Sequence, residues 1–221
     1  FSADYRGVYV LIEKIKQGED RVDIGGELSP NFPLVPVAEN GKLVEGDITG
    51  GYMFKDDRRD PGDSGFTISQ FHNEPLAYVY PKEDVIEQLA WNDAETYLRN
   101  FLTETAAALN APDFIHPTLN MHYSEFIDVQ SWVDHHIINE VMLNVDALRL
   151  SAYYMKPKNG KLMAIPVWDF DRSAESNDGR DNDPRRWYNQ VHRDLQPPYW
   201  EELFTDVDFV QAWIDRWTEW R

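Results

Sequence analysis

The chain has 221 residues, 42% hydrophobic and 14% aromatic, so it can bury a sizeable core and is too apolar to be disordered. Its formal net charge of −18 argues against nucleic-acid and anionic-membrane partners, because an acidic surface is repelled by both. The absence of cysteine excludes disulfides, thiolate metal ligands and cysteine nucleophiles. No apolar run approaches the ~20 residues of a membrane span, and no signal-peptide pattern opens the chain. We therefore expect a folded domain without membrane insertion, cut from a longer protein.

The first eighty residues are typical of strands and turns. Residues 5–13 combine β-branched and aromatic residues and predict a hairpin. Prolines and glycines between residues 30 and 46 predict a loop, and residues 50–55 resume a strand after a Gly pair. Residues 76–80 predict a further short strand.

Helical spacing dominates after Pro81. Apolar residues following Pro81 recur at helical intervals and predict one long helix, or two, to about residue 109. A second apolar face predicts a helix from residue 124 to 145. A loop is expected at residues 171–194 and an amphipathic helix at 199–221. We predict an α+β fold in a single domain, with a β-rich part at 1–80 and a mainly helical part at 81–221.

Two carboxylates flank a predicted β-hairpin within the helical part. Apolar runs at residues 151–156 and 161–168 are joined by a connection that contains Asn-Gly, which favours a hairpin. A hairpin returns its ends to one place, so Asp146 and Asp169 could face a common site. Phosphoryl transfer needs one carboxylate at the acceptor hydroxyl and another on the metal that bridges the phosphates.

The residues around these carboxylates partly match the kinase pattern. Asp169-Phe170-Asp171 resembles the D-F-G turn of protein kinases, with Asp171 in place of Gly. Kinases place a metal-binding Asn five residues after the catalytic Asp, and that position is Ser151 here. A Ser hydroxyl can also coordinate Mg²⁺, although it is a weaker ligand than an amide oxygen.

Two other groups of residues have some features of metal-binding sites. His135, His136 and Glu140 lie on one predicted helix, but adjacent histidines point about 100° apart and cannot readily share an ion. The acidic segment 176–183 offers many oxygen ligands, but its spacing departs from the EF-hand pattern. We expect structural helix residues in the first case and a solvated loop in the second.

Several short segments are each weak evidence for a protein family, but their order and spacing together are specific. They are Tyr5-Arg6-Gly7-Val8-Tyr9, Gly50-Gly51-Tyr52-Met53-Phe54-Lys55, Asn144-Val145-Asp146, Ser151-Ala-Tyr-Tyr-Met-Lys156, Gly160-Lys161-Leu162 and Pro166-Val167-Trp168-Asp169-Phe170-Asp171. Together they resemble the spore coat protein H (CotH) kinase family over nearly the whole chain. The tail from Trp200 to Arg221 resembles the family's continuation beyond the Asp motif.

This resemblance implies an atypical protein-kinase-like, two-lobed fold. It also implies ATP with Mg²⁺ or Mn²⁺ as cofactors, and phosphorylation of Ser or Thr in secreted or cell-surface proteins. By the resemblance Asp146 is the catalytic carboxylate and Asp169 the metal ligand, with Ser151 and Asp171 as further candidates for the metal.

The N-terminal part would then contribute to nucleotide binding. Lys55, at the end of a strand, would meet the α- and β-phosphates, and the hairpin with Gly7 and Tyr9 would cover them. The acidic helix partner of Lys55 is left open among three candidates, Glu83, Glu87 and Glu95.

Two alternative functions remain open at this point. Kinase-like folds can be turned to nucleotidyl transfer, and sequence does not set the orientation of the triphosphate. Some members of the family act as surface adhesins or invasins, so a non-catalytic binding module is the second alternative. Ser151 in place of Asn is the feature that favours it.

Overall fold

The computed structural model describes residues 13–25, 48–59, 61–86, 91–173, 179–187 and 198–221 of the chain. In these residues the molecule has a mixed α/β architecture. The strands are β1 (Tyr52–Asp56), β2 (Gly65–Ile68), β3 (His72–Tyr80) and β4 (Ala152–Lys156). The helices are α1 (Glu83–Ile86), α2 (Trp91–Leu109), α3 (Val129–Met142), α4 (Pro198–Leu203) and α5 (Val207–Trp220). No helix in the described part is both long and apolar enough to cross a membrane.

The strands form one antiparallel sheet in the order β2-β3-β1-β4. β4 pairs with β1 over its whole length, and Phe54 lies opposite Tyr154 while Lys55 lies opposite Tyr153. Because side chains alternate across a strand, the two pairs face opposite sides of the sheet. Phe54 and Tyr154 are fully buried in the main core, whereas Lys55 and Tyr153 line a cleft on the other side.

The predicted hairpin at residues 151–168 is wrong in its second arm. Only Met163 pairs with β4, through two hydrogen bonds of 2.9 Å exchanged with Met155. The neighbouring Leu162 is held elsewhere: its N–H donates to Phe126, and its carbonyl accepts from Asp128 N–H and the Trp132 indole. Residues 161–168 therefore run between β4 and the start of α3 without forming a strand.

Two helix boundaries also differ from the prediction, and Asp caps explain both. Asp128 accepts a hydrogen bond of 2.8 Å from Ser131 N–H, so α3 begins at Val129, after a 3₁₀ turn at Tyr123–Glu125. The helix predicted at 199–221 is two helices, since Asp206 accepts from Asp208 N–H at 3.0 Å and starts α5.

Aromatic side chains fill the space between the sheet and the helices. Trp132 of α3 and Trp200 of α4 are fully buried, with ring centroids 5.1 Å apart. Trp132 also contacts Tyr154 of β4 and Tyr199 of α4. This packing fixes α3 against β4, and the loop that joins them is consequently held at both ends.

Candidate active site

The loop from residue 143 to 151, between α3 and β4, presents Asp146. Its apolar residues Val145, Ala147 and Leu148 are at most 2% exposed, so the loop is anchored in the core. A hydrogen bond of 2.9 Å from Leu150 N–H to the Asp146 carbonyl closes the turn. The Asp146 carboxylate remains 16% exposed at the edge of this anchored loop.

Asn144 connects the Asp146 loop to the segment that carries Asp169. Its side chain is fully buried, and its Nδ2 donates to the Asp169 carbonyl at 3.1 Å and to Asn139 Oδ1 at 3.3 Å. Its Oδ1 accepts from Asp146 N–H at 3.4 Å. One buried amide thus links the backbones of Asp146 and Asp169, although the predicted hairpin does not form.

The side chain of Asp169 lies next to Ser151, which precedes β4, and next to Asp171. Ser151 Oγ donates to Asp169 Oδ2 at 3.4 Å. Desolvation raises the pKa of the Asp169 carboxyl above its ordinary value, and the charges of Asp171 and Asp57 raise it further, while the Ser151 hydrogen bond opposes them. The Asp169 carboxyl therefore lies in a negative field that a bound cation would relieve.

Backbone strain is concentrated around these residues. Leu143, Leu148, Ser151 and Asp169 all adopt left-handed conformations, with φ of 44°, 69°, 53° and 59°. A non-glycine residue in this region costs on the order of 1–3 kcal/mol and persists only where its surroundings impose it. Strain of this kind is often found at functional sites.

A cleft of about 440 Å³ opens on the face of the sheet that carries Lys55. Its lining residues are Lys55, Asp63, Ser64, Tyr78, Val79, Pro81, Lys82, Ile86 and Tyr153. The Lys55 ammonium lies 3.7 Å from Asp57 Oδ2 and its side chain is 18% exposed.

Tyr153 links this cleft to the Asp169 segment. Its ring makes an edge contact with Trp168, the residue before Asp169, with centroids 6.2 Å apart. Burial raises the pKa of the Tyr153 hydroxyl to about 12, with added contributions from the charges of Asp57, Asp169 and Asp63. Tyr153 is therefore a neutral hydroxyl among carboxylates at physiological pH.

Two arginines that the sequence analysis did not single out lie at Asp146. Arg172 Nη1 donates to both carboxylate oxygens, at 2.9 and 3.0 Å. The Arg180 guanidinium is 3.9 Å from Asp146 Oδ1 and donates to the Val145 carbonyl at 3.4 Å. The sequence shows Arg172 directly after Asp169-Phe170-Asp171, but it does not indicate that this arginine binds Asp146.

The other predicted residues either lie outside the described part of the chain or have other partners there. Gly7 and Tyr9 lie outside the described residues, as do Glu87 and the first part of segment 176–183. Of the candidate partners of Lys55, Glu95 is engaged by Arg99 at 2.6 Å, and nothing is described of the Glu83 side chain.

The paired histidines have structural environments, as expected. His135 and His136 are 2% and 7% exposed, and His136 Nδ1 accepts a hydrogen bond from the Trp213 indole at 3.2 Å. Burial lowers the pKa of His135 to about 4 and that of His136 to about 3.

Within the described ranges, no group of three or more His, Asp or Glu side chains could by itself hold a metal ion. Mg²⁺ in nucleotide sites needs only one or two carboxylates, because substrate phosphates and water supply the other ligands. Asp169, Asp171 and the Ser151 hydroxyl meet that smaller requirement. The donor set therefore fits a metal that is bound together with a nucleotide.

Two carboxylate-bearing segments linked by a buried amide, together with a cleft lined by Lys55, supply the residue types that phosphoryl transfer uses. The comparisons with known proteins agree with this class. The chain belongs to the CotH kinase protein family, whose model matches residues 2–221. No curated protein and no solved structure matches the chain.

Proposed function

We propose that this protein is an atypical, metal-dependent protein kinase that transfers the γ-phosphate of ATP to Ser or Thr side chains. The observation that carries the proposal is the Asn144 amide, which holds the Asp146 and Asp169 backbones within one hydrogen-bonded unit. Membership of a kinase family supports the same reaction class.

In this proposal the chain forms a single two-lobed, kinase-like domain, and the cleft beside Lys55 lies between its lobes. Lys55 binds the α- and β-phosphates, and the hairpin with Gly7 and Tyr9 covers them. Asp169, with Asp171 and Ser151, would hold Mg²⁺ or Mn²⁺, which neutralises charge on the β- and γ-phosphates when it is bound.

Asp146 orients the acceptor hydroxyl and accepts its proton as the oxygen attacks the γ-phosphorus. The bond from the γ-phosphorus to the bridging oxygen of ADP breaks, so ADP leaves with the electron pair of that bond. The products are a phosphorylated Ser or Thr and ADP. We propose that the acceptors are secreted or cell-surface proteins.

The division of roles between the two carboxylates gives a direct test. Asp169→Ala should abolish metal-dependent ATP binding, because it removes the principal metal ligand. Asp146→Asn should keep ATP binding but lower turnover by roughly 10²- to 10⁴-fold, because it removes the general base. Asp183→Asn is the matched control: Asp183 follows in the same segment, and its contacts are with Arg185.

Binding is measured as the shift in melting temperature with ATP and Mg²⁺. At 100 times the dissociation constant, ATP should stabilise the protein by about 2.7 kcal/mol, or roughly 5–10 °C for a chain of this size. Equal loss of binding in Asp146→Asn and Asp169→Ala would show that the roles are wrongly divided.

Turnover is measured by transfer of label from ATP to the protein and to casein-like acceptors. Label from the γ-phosphate supports a kinase, whereas label only from the α-phosphate would indicate nucleotidyl transfer. A folded wild-type protein that neither binds ATP nor transfers label would favour the non-catalytic, adhesin-like module.

A further inference from the structure

The proposed catalytic carboxylate already binds an arginine. Both oxygens of Asp146 accept hydrogen bonds from Arg172, and a second guanidinium, that of Arg180, lies 3.9 Å away. Charge-assisted hydrogen bonds of this kind are the strong ones in proteins. An acceptor hydroxyl would therefore compete with Arg172 for the Asp146 carboxylate.

Arg172 also belongs to the segment that carries the proposed metal ligands Asp169 and Asp171. It follows Asp169 by three residues and keeps 35% of its side chain exposed, so its guanidinium can change partners. The described carboxylates around Asp169 include Asp57 and Asp171, whose charges would repel phosphate oxygens. The planar fork of an Arg side chain matches the oxygens of a phosphoryl group as well as those of a carboxylate.

We propose that Arg172 is an exchangeable ligand of the terminal phosphate of ATP. Without nucleotide it pairs with Asp146 and blocks that carboxylate. With ATP bound it moves to the γ-phosphate and leaves Asp146 open to the acceptor hydroxyl. This inference rests on the proposed kinase function and adds to it a contact that makes the catalytic carboxylate available only when ATP is present.

The exchange predicts an energetic coupling between Asp146 and the γ-phosphate. ATP must compete with Asp146 for Arg172, whereas ADP, which lacks the γ-phosphate, does not. A nucleotide can shift Arg172 away from Asp146 only if it binds more tightly to the state in which Arg172 has left Asp146. Removal of Arg172 should therefore weaken ATP binding selectively, and neutralisation of Asp146 should strengthen it selectively.

The experiment is a calorimetric titration of wild type and variants with Mg²⁺-ADP and with the non-hydrolysable analogue Mg²⁺-AMP-PNP. For Arg172→Gln we expect AMP-PNP affinity to fall by roughly 10- to 100-fold, the value of a charge-assisted contact, with ADP affinity unchanged. For Asp146→Asn we expect AMP-PNP affinity to rise by about tenfold, again with ADP unchanged. Arg172→Lys should restore part of the AMP-PNP affinity.

The matched control is Arg185→Gln, which removes a guanidinium from the same segment. Arg185 is 86% exposed and pairs with Asp183, so this variant should bind both nucleotides as the wild type does. Melting temperatures without nucleotide identify any variant that fails to fold, and Asp146→Asn then tests the coupling independently of Arg172.

Two results would overturn the inference while leaving the proposed function intact. One is an equal loss of ADP and AMP-PNP affinity in Arg172→Gln, which would mean that Arg172 only orders the segment. The other is an unchanged or lower AMP-PNP affinity in Asp146→Asn. A wild-type protein that is folded but binds neither nucleotide would overturn the proposed function itself, and the exchange with it.

Discussion

The buried amide of Asn144 makes hydrogen bonds that an apolar side chain of the same size could not make. It contacts the Asp169 carbonyl, the Asp146 N–H and the side chain of Asn139. Asn144 touches neither proposed reacting atom directly. We therefore regard it as a positioning residue for the two carboxylates.

Asn144→Ala should lower the turnover of the folded protein as well as its stability. The truncation leaves buried polar groups unpaired, which costs about 1–3 kcal/mol of unfolding free energy. Displacement of a catalytic group by ~1 Å costs about 100-fold in rate, so we expect kcat to fall by that order while the change in KM for ATP is small. Urea unfolding and label transfer measure the two effects.

The control for this variant is Asn110→Ala, at an exposed position after α2. It should leave turnover and unfolding unchanged. The contrary result is an activity of Asn144→Ala that falls only in proportion to the amount of folded protein, with kcat per folded molecule unchanged. That result would show that Asn144 only stabilises the fold.

At the residue scale, the sequence indicates which residues form the candidate site but not which contacts they make. The spacing and the motif around Asp169 predicted both carboxylates and Ser151 as site residues. In the structure Asn144 links the backbones of Asp146 and Asp169, and Ser151 contacts the Asp169 side chain. The Arg172 pair could not be predicted, because the direction of a long side chain depends on tertiary packing. The same holds for Lys55, whose ammonium lies 3.7 Å from an Asp57 carboxylate oxygen. Of its three predicted helix partners, only the Glu95 side chain is described, and it binds Arg99.

At the scale of elements, the strand pairing determines where the site forms. The sequence predicted β4 correctly as a strand but paired it with residues 161–168, its neighbours along the chain. Periodicity identifies strands and leaves the choice of partner to long-range packing. In the structure β1 is that partner, and this pairing sets Lys55 beside Tyr153.

Gly50 allows β1 and β4 to approach each other at their ends. A Cβ atom at this position would lie 2.2 Å from the Lys158 nitrogen and from the Pro157 carbonyl carbon. Gly50→Ala must therefore displace the backbone after β4, at a cost of about 1–3 kcal/mol or more. We expect a lower urea midpoint and, because Lys55 and Tyr153 shift relative to each other, weaker ATP binding.

Gly18→Ala is the matched control, since a Cβ atom at Gly18 would meet nothing within 4 Å. It should leave the urea midpoint and ATP binding as they are in the wild type. If Gly50→Ala were as stable as Gly18→Ala, the close approach of the two strands would be wrong.

The contact between α3 and α5 should make stability depend on pH through His136. Its lowered pKa, about 3, means that the folded protein keeps this group neutral, whereas the unfolded chain protonates it below its ordinary pKa of 6.5. The stabilisation is complete above that ordinary value and is lost as the pH falls towards the folded value. From pH 7 to pH 5 this single group should lower the unfolding free energy by about 2 kcal/mol.

His136→Gln tests this assignment, because glutamine can still accept the Trp213 hydrogen bond but does not titrate. The loss of stability between pH 7 and pH 5, measured by urea unfolding, should shrink by about 2 kcal/mol. Val133→Ala, a buried truncation on the same helix, should lower stability equally at both pH values. An unchanged pH dependence in His136→Gln would mean that His136 titrates in the folded state.

At the scale of the whole molecule, the net charge of −18 acts on every substrate that approaches the site. Around Asp169 the local charge has the same sign, since Asp57 and Asp171 add to it. A negative field raises the local concentration of cationic ligands and repels anionic ones. Bound metal and Arg172 would offset this field for ATP, but a protein acceptor meets the outer acidic surface directly.

We therefore expect a preference for acceptors whose Ser or Thr is flanked by Lys or Arg. In a matched pair of peptides that differ only in the sign of the flanking charges, the basic peptide should have the lower KM. The difference should shrink as the salt concentration rises from about 0.05 M to about 0.5 M, because screening shortens the range of the field. The two peptides should differ less in kcat than in KM, because the field acts mainly on the binding of the peptide to the enzyme. A preference for the acidic peptide, or one that salt does not change, would show that local contacts rather than net charge select the acceptor.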